Sequence, residues 1–144
     1  MLKVLVPVDG SDRSLQAVRH AAFLFQERCA AEVVLLNVQP QLESGRADAF
    51  RSARRLKAME RREADRALAQ ARRILDEAGV KHSTCVRSGN VAPCIARCAD
   101  EERCDEIVIP APRRGLLRAV ARLFSRPLLD QIALSSPVPV TAVR

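Results

Sequence analysis

The stretch Leu2-Lys3-Val4-Leu5-Val6-Pro7-Val8 is almost wholly apolar, rich in β-branched residues, and stops at Asp9-Gly10-Ser11-Asp12. A run of that length ending in turn residues predicts a strand buried on both faces. Ser11 is placed to cap a following helix and Asp12 to favour its positive end, and Leu15, Val18, Ala22 and Phe25 then recur at helical spacing. The spacing predicts a helix over 12–28. A second apolar run, Val33-Val34-Leu35-Leu36-Asn37-Val38, ends at Gln39-Pro40. Two buried strands joined by a helix form a βαβ unit, which requires a parallel pair and so a sheet covered by helices.

The rest of the chain repeats that alternation. Ala64, Leu68, Ala71, Leu75 and Ala78 line one helical face, and Gly79 ends it. Charge density rises over 41–63, with Ser44-Gly45 interrupting. A continuous helix from Arg46 to Ala78 would be about 50 Å long at 1.5 Å per residue, so part of 41–55 is expected to be loop. Val80–Val86 alternates weakly and predicts a less buried third strand. Gly89-Asn90 leads into a helix with Val91, Ile95, Cys98 and Glu102 on one stripe and Pro93 in its first turn. Glu106-Ile107-Val108-Ile109-Pro110 predicts a fourth strand. After a basic segment comes a helix opening at Pro127, with Leu128, Leu129 and Ile132 facing inward. Val138–Val143 closes the chain as a fifth strand, and Pro139, which cannot donate to a ladder, places it at an edge. The tally is an α/β fold, one open parallel five-stranded sheet with helices on both faces. In such sheets ligands bind beyond the carboxyl ends of the strands, where strand order reverses.

At 144 residues one domain spanning 1–144 is expected, and 48% hydrophobic with 28% charged residues suits a chain that folds alone. The opening run is too short for a signal peptide and no apolar run approaches the roughly 18 residues that cross a bilayer, which predicts a cytoplasmic protein without a membrane partner. Phe23, Phe25, Phe50 and Phe124 are the only aromatics apart from histidine, so stacking platforms for bases or sugars are lacking. Five cysteines, Cys29, Cys85, Cys94, Cys98 and Cys104, contain no Cys-x-x-Cys and have only His20 and His82 for company. That argues for free thiols and against zinc. Cys94 and Cys98, one helical turn apart, read as packing residues in preference to a redox pair or metal half-site.

Taken in order, several segments resemble the universal stress protein family. They are Val6-Pro7-Val8-Asp9-Gly10-Ser11, Leu36-Asn37-Val38-Gln39-Pro40, Ser88-Gly89-Asn90, Asp105-Glu106-Ile107-Val108-Ile109 and Ser135-Ser136-Pro137-Val138-Pro139-Val140. The resemblance is collinear over the whole chain. It implies a Rossmann-like sheet ordered 3-2-1-4-5, with the reversal between strands 1 and 4, and a homodimer. The apolar edge strand adds its own argument for twofold pairing, through Val138, Val140, Thr141 and Val143.

Many members of that family bind ATP through Gly-x-x-Gly, nine residues, then Gly-Ser or Gly-Thr, directly after strand 4. Glycines suit a chain that wraps a triphosphate with bare backbone amides. Here Pro110 stands in place of the first glycine, Arg113 of the second, and Leu123 or Phe124 of the third; only Ser125 and a displaced Gly115 survive. The phosphate cradle is therefore largely gone. Asp9 and Val38 match the positions that meet ribose and adenine, and Pro7 belongs to the same opening motif. The candidate nucleotide-binding residues are thus Pro7, Asp9, Val38, Arg113, Arg114, Gly115 and Ser125.

Two readings of Asp9 stay open: a ribose ligand, or a residue that turns the chain into the first helix. The formal charge of +7 is concentrated late: residues 106–144 hold six basic and two acidic side chains. Arg113, Arg114, Arg118, Arg122 and Arg126 carry much of it. They are either phosphate ligands replacing the lost amides or a solvated face. A nucleic-acid surface is disfavoured by the missing aromatics and recognition motifs. No nucleophile elbow, Walker motif or His-x-x-x-His is present, so no enzyme activity, catalytic residue or metal is expected. The resulting expectation is a homodimeric, non-enzymatic stress-response protein with weak or no ATP binding, which acts through contacts with an unidentified client protein. The alternative is a protein for ATP or another phosphorylated ligand, using Asp9, Val38 and the arginines.

Overall fold

Alternation along each strand divides the apolar core into two layers. The computed structural model describes residues 1–39, 47–111 and 126–144. In β1 (Leu2–Pro7) and β2 (Ala30–Gln39), Val4, Val6, Val33 and Leu35 pack towards α1 (Asp12–Gln26) and α2 (Ala47–Glu77). Their neighbours Leu5, Val34, Leu36 and Val38 pack on the opposite face with α3 (Val91–Glu101) and α4 (Arg126–Ser135). In β4 (Glu106–Pro110), Val108 joins the first layer, while Ile107 and Ile109 join the second. With apolar side chains on both faces, the central strands need helices on both sides.

The sheet is five-stranded and parallel, in the order β3-β2-β1-β4-β5, with β3 at His82–Ser88 and β5 at Val140–Val143. β1 pairs with β2 from Leu2↔Ala30 to Pro7↔Leu36, with an irregularity after Leu2, and with β4 at Val4↔Glu106 and Leu5↔Ile107. Fold class, strand order and the edge position of the last strand agree with the sequence reading. Among the described residues no helix is long and apolar enough to cross a membrane.

Several boundaries differ from expectation, each for a local reason. The fifth strand starts at Val140 because the Ser136 hydroxyl occupies both polar groups of Val138, donating to its carbonyl (2.7 Å) and accepting from its N–H (3.1 Å). Pro139 still contributes its carbonyl, which accepts from Ile107 N at 2.9 Å. The inward stripe of α3 is Ala92, Ile95, Cys98 and Ala99; Glu102 is the helix cap. Residues 47–55, expected to include loop, belong to the 31-residue α2, about 46 Å long. A helix need not be buried along its whole course: Arg54–Met59 are exposed, and the buried stripe begins at Ala64. The remainder of the expected loop lies outside the described residues.

Three helices end in the same way. After α2, Val80 N bonds Leu75 O at 2.9 Å and Gly79 N bonds Asp76 O at 3.0 Å, with Gly79 at φ 68°. This paired bonding with a left-handed residue is the Schellman termination, and it delivers Val80 into the core beside Leu75. α1 repeats it with Cys29 N to Leu24 O (2.8 Å) and Arg28 at φ 62°, and α3 with Cys104 N to Ala99 O (2.8 Å) and Arg103 at φ 52°. An arginine there carries the Cβ crowding that glycine escapes. Arg28→Gly and Arg103→Gly are therefore each expected to raise stability by about 0.5–1 kcal/mol, the left-handed strain relieved less the extra unfolded-chain entropy of glycine. Urea unfolding midpoints check this; an unchanged or lower midpoint for both contradicts it.

Candidate functional site

The chain leaves β1 at Pro7 and must turn sharply into α1, and side-chain hydrogen bonds build that turn. Asp9 Oδ1 accepts from Ser11 N at 2.8 Å and also from the Ser11 hydroxyl. Ser11 caps α1, its Oγ accepting from Ser14 N at 3.4 Å. Buried Ser14 donates back to the carbonyls of Ser11 (2.9 Å) and Asp9 (3.1 Å). Asp9 is thus fixed at the positive end of α1 with one carboxylate oxygen engaged. The chain-turning reading of Asp9 is correct as far as it goes, and its partial exposure leaves the carboxylate accessible to a ligand.

Across the turn, Val8 N bonds Leu36 O at 2.7 Å, and Asn37 Nδ2 donates to Val8 O at 2.9 Å. Asn37 is buried in an apolar strand, and its Oδ1 has no hydrogen-bond partner among the described residues. The side chain extends the β1–β2 ladder past the end of β1, so the strand ends are clamped where Asp9 begins.

The third wall comes from α3. Gly89, at φ 133°, donates to Gln39 O at 3.0 Å, and a Cβ there would lie 3.3 Å from Cys94 Sγ. The backbone angle calls for glycine, and a Cβ would in addition press on the Cys94 sulfur. This turn sets Val91 and Ile95 against the end of β2. Pro7, Val8, Asp9, Leu36, Val38, Val91 and Ile95 line one cleft with a cavity of about 10 Å³, roughly the room of one water. It is apolar except for Asp9. The slot presents an apolar face with one directional polar contact, and at the volume of one water its walls would have to part widely to take a base.

Of the sequence candidates, Pro7, Asp9 and Val38 meet in this cleft. Arg113, Arg114, Gly115 and Ser125, with Arg118 and Arg122, lie outside the described residues, and α4 begins at Arg126. Val91, Ile95 and Asn37 were missed as site residues. A lone polar residue inside the run Val33–Val38 was the available clue to Asn37; Val91 and Ile95 had none beyond their place after Gly89-Asn90.

The candidate interface residues sit at the sheet edge with side chains partly turned inward. Val138 and Val140 pack against the α3–α4 layer, Val143 against the α1–α2 layer, and Thr141 Oγ1 donates to the Glu106 carboxylate. β5 is the outermost strand, so the backbone edge facing away from β4 is what it offers a partner.

A doubly wound parallel sheet with a cleft at the carboxyl ends of β1 and β2 defines an α/β protein of the open-sheet class, in which ligand sites lie beyond the strand ends. The universal stress protein family model matches residues 1–144, and the chain belongs to that family. No curated protein matches it by sequence. Among solved structures it resembles the universal stress protein UspA from Lactobacillus plantarum, with TM-score 0.79 and 19% identity over 99% of this chain and 97% of that one. The Archaeoglobus fulgidus universal stress protein in complex with dAMP gives TM-score 0.69 and 20% identity, covering 100% and 98%. A universal stress protein family member from Arabidopsis thaliana with AMP bound gives 0.63 and 17%, covering 99% and 91%.

Asn37→Ala should cost about 1–3 kcal/mol by leaving the Val8 carbonyl unpaired. In urea unfolding it should be much more damaging than Ser83→Ala on the exposed part of β3; equal midpoints would show that the strand ends need no clamp.

Proposed function

We propose that this protein is a non-catalytic, homodimeric stress-response protein that acts through protein contacts, with a crevice that takes adenine nucleotides weakly by the nucleoside end. The observation that carries the reading is the joining of Pro7, Asp9 and Val38 with Val91 and Ile95 in one cleft. Apolar walls from Val38 and Val91 suit the base and Asp9 suits the ribose hydroxyls, since an ionised carboxylate is an acceptor only. The nucleotide complexes named for the Archaeoglobus and Arabidopsis relatives support the same use of the fold.

The phosphate end differs. Pro110 occupies the end of β4, where it has no N–H to give, and the sequence after it lacks the family's glycine spacing. A base and one ribose contact alone supply only a few kcal/mol, so the dissociation constant for ATP is expected at about 0.1 mM or weaker. Free phosphates without a protein cradle add little to that. The dimer reading is supported by β5, an apolar edge strand only four residues long.

Calorimetric titration tests the nucleotide part. Asp9→Ala should weaken ATP binding about tenfold, equivalent to about 1.4 kcal/mol, while the double variant Pro110→Gly, Arg113→Gly strengthens it. Micromolar affinity in the unaltered protein would show that the arginines 113–126 have replaced the cradle, which is the phosphorylated-ligand alternative. Sedimentation at micromolar concentration should show a species of twice 15.9 kDa; a single 15.9 kDa species would refute the dimer.

A further inference from the structure

Four of the five cysteines lie on the α3–α4 side of the sheet: Cys98 and Cys104 buried in the core layer, Cys85 and Cys94 packed against it. Cys85 and Arg87 are two apart on β3, so they point to one face of the sheet, the face α3 covers. Cys94, Cys98 and Glu101 are spaced i, i+4, i+7 and share one face of α3. The two faces are fastened at two levels. Arg87 Nη2 meets Glu101 Oε2 at 3.2 Å, and Cys94 Sγ donates to Ser88 O at 3.6 Å. Cys85 pairs in register with Leu36 on the sheet face that α3 covers, and Cys98, on the inward stripe of α3, packs in the same core layer within interaction reach of the Cys85 thiol. Cys94, one turn away on the same helix, is engaged with the strand-end carbonyl instead. The reading of Cys94 and Cys98 as packing residues holds for both, since Cys98 lies in the core layer and Cys94 packs against it.

We propose that Cys85 and Cys98 form a thiol pair that a hydroperoxide converts into an intramolecular disulfide, locking β3 to α3 beside the crevice. The proposal is independent of nucleotide binding. Cys85 is the partly exposed member, and Cys98 is fully buried. The guanidinium of Arg87 lies within electrostatic reach of both sulfurs. Cys85 therefore meets the oxidant first. Its thiolate sulfur attacks one peroxide oxygen; the S–O bond forms, the O–O bond breaks, and the departing hydroxide takes a proton to become water or, from an organic peroxide, an alcohol. Cys85 is then a sulfenic acid.

Burial and the neighbouring Cys85 push the Cys98 thiol up to about 12, so at neutral pH it keeps its proton and stays unreactive toward peroxide. The retained proton also slows its attack on the sulfenic acid, so the second step relies on the proximity of the two sulfurs and on passing that proton to the leaving oxygen. The Cys98 sulfur attacks the Cys85 sulfur, the S–S bond forms, the S–O bond breaks, and hydroxide leaves as water with the proton from Cys98. Two electrons leave the thiol pair and reduce one peroxide. Thioredoxin-type dithiols reverse the change by exchange.

The chain supplies a clean assay, because trypsin cutting after Lys81, Arg87, Arg97 and Arg103 leaves Cys85, Cys94 and Cys98 on separate peptides. The reduced protein is treated with hydrogen peroxide, free thiols are alkylated, and the digest is mapped by mass. The expected result is a fall from five free thiols to three per chain, with peptide 82–87 joined to peptide 98–103 and release by dithiothreitol. Cys29→Ser should leave this unchanged. Cys85→Ser, at a partly exposed site, should abolish the link and keep Cys98 alkylatable after unfolding. The mapping needs no variant, so loss of folding in Cys98→Ser does not compromise it. Joining of Cys94 to Cys98, links only between chains through exposed Cys29, or five intact thiols when a free surface thiol is fully oxidised would each overturn the proposal.

Discussion

β1 is hydrogen-bonded along both edges, to β2 from Leu2 to Pro7 and to β4 at Val4 and Leu5, and its side chains are buried on both faces from Val4 to Val6. A strand enclosed in this way cannot slip by one residue without exchanging its two apolar layers, so its register fixes that of its neighbours. The connections do the rest. Two crossovers carry the chain from β1 outward through β2 to β3, and the third returns it to the other side of β1 as β4. The cleft lies beside that reversal, at the carboxyl ends of β1 and β2 under the start of α3.

That crevice is held by polar bonds that the apolar core cannot supply. The Asn37 amide reaches the Val8 carbonyl, and the Asp9 carboxylate, Ser11 and Ser14 form a closed set that ties the end of β1 to the start of α1. The hydrogen bonds that shape the turn also place an acceptor at the mouth of an apolar slot. On the proposed function, folding and binding would draw on the same few side chains. Substitutions at Asp9 have to be read with stability measured alongside binding.

The fold was legible because each strand is a short apolar run and each helix a periodic stripe, and both patterns come from burial on the sheet. Pro139 marked the edge strand, and Ser11 marked the first helix cap. What could not be read has more than one cause. The Schellman ends of α1 and α3 carry Arg28 and Arg103, where sequence rules look for glycine. The length of α2 was misjudged because its exposed half, Arg54–Met59, answers to solvent and not to the core. In the site, Pro7, Asp9 and Val38 were found through the family resemblance. Val91 and Ile95 reach it only through the turn at Gly89. The Cys85–Cys98 pair joins a strand to a helix, a relation that spacing along the chain does not encode.

The account rests on the crevice at the end of β1 being the place where an adenine nucleotide docks. Titrating AMP into ¹⁵N-labelled protein and following the backbone amides tests this most directly. The predicted result is fast-exchange shifts, as suits weak binding, concentrated at Val8, Asp9, Val38, Val91 and Ile95. Leu15, Arg19, Gln70 and Arg73, which line a separate groove between α1 and α2, should stay still. Shifts confined to that groove, or no shifts at millimolar AMP, would contradict the account.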